Sequence, residues 1–167
     1  MATVNTGPAT LAGAADPSNN PLAPTSVAGP GDQFTSAQQA AAYGSIYAYW
    51  SAPDNGEYAG EVYQNANGTY SFDVGRPSEP NPPDFSVINP GAIPDGTSFS
   101  GFYHTHGDDP SALGYFTPDD NTTNGRYANS PLFPNYQGMS VSLPNGDILW
   151  RSNTGLQSTL CTGCVGP

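Results

Sequence analysis

The chain has 167 residues and carries 14 acidic side chains against three arginines and no lysine, a formal net charge of −11. One domain is the natural count at this length. No window approaches the ~18 apolar residues of a membrane-spanning helix, and Arg76, Arg126 and Arg151 are too few to neutralise a phosphate backbone. Neither a membrane span nor a nucleic-acid partner is therefore expected.

Residues 1–32 are Ala, Pro, Gly, Thr, Ser and Asn with almost no large apolar side chains, which predicts a disordered linker or tail ahead of a folded domain over 33–167. The opening MATVNTGPATLAGAADPSNN has no basic n-region and no compact apolar core, so no classical signal peptide is expected. A linker at the start points to a terminal piece of something larger. Ten Tyr, seven Phe and two Trp then supply the apolar surface a fold buries. After a capping hydroxyl at Thr35 or Ser36, Ala40, Tyr43, Ile46, Tyr47 and Trp50 recur at helical spacing. EYAGEVYQNANGTYSFDV reads as a β-hairpin turning at Asn67-Gly68. Six prolines between residues 76 and 96 exclude a helix or central strand there and predict a long loop. Thr97 to Thr105 reads as an aromatic strand. Thr117-Pro118-Asp119-Asp120 has the form of a helix start, with a hydroxyl cap, Pro at the first position and acids in the first turn. GMSVSLPNGDILWRS is a second hairpin, turning at Asn145-Gly146.

The two histidines of the chain, His104 and His106, stand two apart, a spacing that chance placement gives roughly once in 80. On a strand such residues share a face about 6.6 Å apart, so both imidazoles can reach one metal ion. Asp119 or Asp120 offers a carboxylate, and two His with one carboxylate is a catalytic zinc set. Glu57 and Glu61, four apart on a strand, share a face, and either can serve as the base. Cys161 and Cys164 are spaced for a local disulfide or remain free thiols.

The ordered series Glu57-x-x-Gly60, His104-Thr-His106 and Thr117-x-x-Asp120 resembles the JAB/MPN metalloprotease pattern of an upstream Glu, HxH and SxxD. The surrounding text, EYAGEVYQNANGTYSF, GFYHTHG, FTPDD and the LPNG hairpin, is most similar to JAB-like domains at the C-termini of Rhs and other polymorphic toxins of bacteria, over about residues 33 to 155. The resemblance implies zinc on His104, His106 and Asp120, with Glu57 as general base for the attacking water. It also implies that the Thr117 hydroxyl stabilises the tetrahedral intermediate. Two departures are visible: Thr117 replaces a serine, and the gap from His106 to Thr117 is longer than in the deubiquitinating members.

The expected fold is α+β, a mixed sheet made of the two hairpins and the histidine strand, flanked by helices, with the JAB-like topology coming from the resemblance. The expected function is a zinc-dependent peptidase or isopeptidase acting on a protein or peptide, as the C-terminal toxin of a larger secreted or delivered protein. A cognate immunity protein with basic residues would meet the negative charge. The alternatives are a metal-dependent nuclease and a non-catalytic interaction module.

Overall fold

The computed structural model describes residues 28–51, 56–77, 90–107 and 115–165. Residues 1–27 of the expected linker and 78–89 of the Pro-rich segment lie outside them. Residues 28–32, expected to belong to the tail, are tied to the fold: Ala28 packs against the core, and the Gly31 N–H bonds to the Phe72 carbonyl at 3.0 Å.

Ser36 opens helix α1 (Ala37–Ser51) by accepting the Gln39 N–H at 3.2 Å. Seven strands follow: β1 (Tyr58–Gln64), β2 (Tyr70–Phe72), β3 (Arg76–Pro77), β4 (Ser98–Thr105), β5 (Gly138–Ser142), β6 (Ile148–Ser152) and β7 (Gln157–Cys161). They form one sheet in the order β2-β1-β4-β5-β6-β7, with β3 also on β1. Every pairing is antiparallel except β4 with β5. A parallel pair needs a crossover, and helix α2 (Pro118–Ala128) lies within it. The chain is thus α+β as expected, a mixed seven-stranded sheet flanked by two helices. Among the described residues no helix is long and apolar enough to cross a membrane.

One sheet face packs Val62, Phe72, Tyr103 and Trp150 against α1. The contact is made by the helix's small residues: Ala37, Ala40, Ala41, Gly44 and Ser45 are buried, and a Cβ on Gly44 would lie 2.5 Å from the Tyr103 ring. Tyr43, Tyr47 and Trp50, which mark the helical spacing, are half-buried. Small side chains let the helix sit close to the sheet and leave the larger rings at its flanks. On the opposite face Phe99, Phe102, Phe116, Tyr136, Met139, Val141 and Leu149 form a second apolar cluster, joined by Tyr127 of α2. The histidines stand at the edge of this second cluster.

Candidate metal centre

His104 lies in β4 and His106 one residue beyond its end, so strand alternation turns both side chains to the α2 face. The His106 N–H donates to the Ser142 carbonyl at 3.0 Å, which continues the β4–β5 ladder and fixes the backbone past the strand. The third group arrives from α2. Thr117 is the N-cap, Pro118 opens the helix, and Asp120 at the third helical position completes a capping box. That box decides between the two acids: Asp120 is buried, while Asp119 points to solvent.

His104, His106 and Asp120 present ligand atoms that all lie within 4.8 Å of one another, and this buried group can hold a metal ion. His104 Nε2 is 3.2 Å from His106 Nε2 and 3.0 Å from Asp120 Oδ1, and His106 Nε2 is 3.2 Å from Asp120 Oδ2. Donors about 2.0–2.1 Å from a tetrahedral ion stand about 3.3 Å apart, so the spacing fits a shared cation. Electrostatics point the same way. Burial works against ionising Asp120, but the charge and hydrogen bonds of His104, with further bonds from His106 and Thr117, hold its carboxyl far below the usual carboxylate range. Burial likewise disfavours a charged His104, yet Asp120, then Glu57 and the Ser140 backbone, raise its pKa above the ordinary value. A buried anion drawing a proton onto its neighbour is an environment suited to a cation.

The two glutamates, equivalent by spacing, separate in the structure. Glu61 is fully buried and ion-paired with Arg76 of β3, and its N–H donates to Asp73 Oδ1 at 2.6 Å. Glu57 is half-buried just before β1. Ala59 stands opposite His104, and extending that antiparallel register brings Glu57 level with His106. Sequence reasoning missed Phe102 and Phe116, whose rings lie 6.2 and 6.4 Å from that of His104 and bury it. For Phe102 a signal exists, since it shares the alternation of the histidines. The cysteines form a Cys161–Cys164 disulfide. No protein family, curated protein or solved structure matches the chain, so the site stands on its own geometry.

Proposed function

We propose that this chain is a zinc-dependent hydrolase of the JAB/MPN kind that cleaves peptide or isopeptide bonds, serving as the C-terminal toxin or effector domain of a larger delivered protein. The observation that carries the reading is the meeting of His104, His106 and Asp120 beside Glu57, in the order and residue types of that family. When bound, zinc polarises a substrate carbonyl and makes water a stronger acid. His104 and His106 would hold it through Nε2 and Asp120 through a carboxylate oxygen. Glu57, next to the ligands but still reached by solvent, takes the proton of the attacking water and returns it to the leaving amine. Phe102 and Phe116 keep bulk water from the histidine flank, which strengthens every charge interaction inside.

A protein substrate suits the chain better than a phosphodiester. Arg76, on the strand next to β1, is committed to Glu61 and Asp73, so its charge is not free to meet a phosphate. An immunity partner with a basic contact face would complement the net charge and associate quickly. The test is metal content by mass spectrometry, followed by hydrolysis of peptide and isopeptide substrates. About one zinc per chain is expected, lost in the His104→Ala, His106→Ala double variant, together with hydrolysis that Glu57→Gln lowers by about 10²- to 10⁴-fold without releasing zinc. A chain that takes up no zinc, or a Glu57→Gln variant that cleaves as fast as the parent, overturns the reading.

A further inference from the structure

A threonine hydroxyl has one hydrogen to give and lone pairs with which to accept. Thr117 Oγ1 accepts the Asp120 backbone N–H at 3.2 Å and lies 2.9 Å from Asp120 Oδ2. As a metal ligand Asp120 is ionised and can only accept, so the hydroxyl hydrogen is directed at Oδ2. The Thr117 backbone N–H reaches the same oxygen at 2.7 Å. Oδ2 thus takes two hydrogen bonds from one residue besides lying 3.2 Å from His106 Nε2, whereas Oδ1 faces only His104 Nε2, at 3.0 Å, among these groups. In an ordinary capping box the acid at the third position satisfies the cap N–H and has no further task. Here the same acid belongs to the candidate metal centre.

From this juxtaposition we infer that Thr117 is a positioning residue for the metal ligand: its two hydrogen bonds pin Asp120 Oδ2, favour Oδ1 as the oxygen offered to the ion, and make closure of the α2 cap and completion of the site one event. The inference rests on the zinc-hydrolase reading of this site. It departs from the role the resemblance implies for the hydroxyl, because the one hydrogen that would stabilise a tetrahedral intermediate is already given to Asp120. Groups that orient a ligand in this way typically control metal affinity by about 10- to 100-fold. Threonine serves here as well as serine, since the added methyl group leaves both hydrogen-bonding functions intact.

The test is titration of the full chain with zinc and, separately, with cobalt(II), alongside thermal unfolding of the metal-free protein. Thr117→Ala is expected to weaken zinc binding by about 10- to 100-fold. It should also replace the intense visible bands of four-coordinate cobalt by the weaker bands of higher coordination, as the released Oδ2 joins the ion. Thr117→Ser should restore both. Loss of a helix cap lowers the unfolding temperature of the metal-free protein but by itself leaves the spectrum of cobalt-loaded protein unchanged, so the spectrum isolates the positioning role. A Thr117→Ala variant with parental affinity and spectrum overturns the inference, and if it has also lost hydrolysis the hydroxyl acts on the substrate. A parent chain that takes neither metal overturns the inference and the hydrolase reading together. Altered binding and spectrum in Thr117→Ala, with a parent chain that cleaves no peptide, support the positioning role and remove the hydrolase reading alone.

Discussion

The Nε2 atoms of His104 and His106 face each other at 3.2 Å, each within 3.2 Å of an oxygen of Asp120. Without metal only N–H protons aimed at Asp120 can relieve this meeting of lone pairs, whereas a divalent cation accepts a lone pair from all three groups at once. Zinc at about 1,000 times its dissociation constant should then stabilise the fold by about 4 kcal/mol. For a chain of this size that is an increase of about 10 °C in melting temperature. Calorimetry with zinc and with a chelator checks this, and the His104→Ala variant should show no zinc-dependent shift.

The pH dependence follows from the same pair. The pKa of His104 is raised, so its contribution to metal-free stability is complete below the ordinary histidine value of about 6.5 and is lost as pH rises through the folded value. Asp120 is shifted down, so its contribution is present above the ordinary carboxylate value of about 3.9 and is lost only as pH falls far below it. Metal-free protein should therefore gain most from this pair between about pH 4 and 6.5. Zinc affinity should run the other way, rising with pH through the raised His104 value because the ion must displace that proton. Melting temperatures from pH 4 to 8, with and without zinc, should draw apart as pH rises, the zinc-dependent increment growing through the raised His104 value; an increment that stays constant would show that no proton is exchanged for metal.

Glu57→Gln and Glu61→Gln should give opposite phenotypes. At Glu57 the folded state loses little, within about 0.5 kcal/mol, while hydrolysis falls by about 10²- to 10⁴-fold. At Glu61 the change strands Arg76, but the arginine side chain is 38% exposed and water compensates in part. The cost should be about 1–3 kcal/mol, below that of breaking a fully buried pair. Urea unfolding and peptide turnover on both variants separate the base from the structural acid.

The two-residue spacing of the histidines was legible because strand alternation is a local property, and the cap at Thr117 because a hydroxyl, a proline and acids in sequence define a helix start. The different surroundings of Glu57 and Glu61 were not, since both lie on one face and the partner that holds Glu61, Arg76, reaches β1 through a long-range pairing of two residues. The depth of α1 on the sheet was hidden for a related reason: spacing locates a face, but Gly44 seated on Tyr103 determines how closely it approaches. Strand β7 has the exposed, polar text Gln157-Ser-Thr and shows no apolar alternation. It forms because β6 offers it a ladder after the turn at Gly155, whose φ of 85° suits glycine.

The Cys161–Cys164 disulfide closes the turn that docks the end of the described chain. Beyond it Cys164 and Val165 donate their N–H groups to the Gly146 carbonyl at 2.7 and 3.1 Å, and Val165 packs with Ala42, Ile46 and Ile148. Gly146 belongs to the turn between β5 and β6, and a Cβ there would lie 1.9 Å from the Val165 carbonyl oxygen, so the tail sits directly on that turn. A loop this short restricts the unfolded chain modestly, by about 2 kcal/mol on chain-entropy grounds. Reduction should lower the metal-free unfolding free energy, read from urea titration, by no more than that. Zinc affinity should stay unchanged, because the parallel ladder from Gly101 to Thr105 against β5 holds the histidine strand independently of the tail. Urea unfolding and zinc titration with and without a phosphine reductant check both points, with a Cys161→Ser, Cys164→Ser variant to exclude zinc capture by released thiols. Zinc affinity that falls in that variant would show instead that the tail supports His106 through the Ser142 carbonyl at the end of β5.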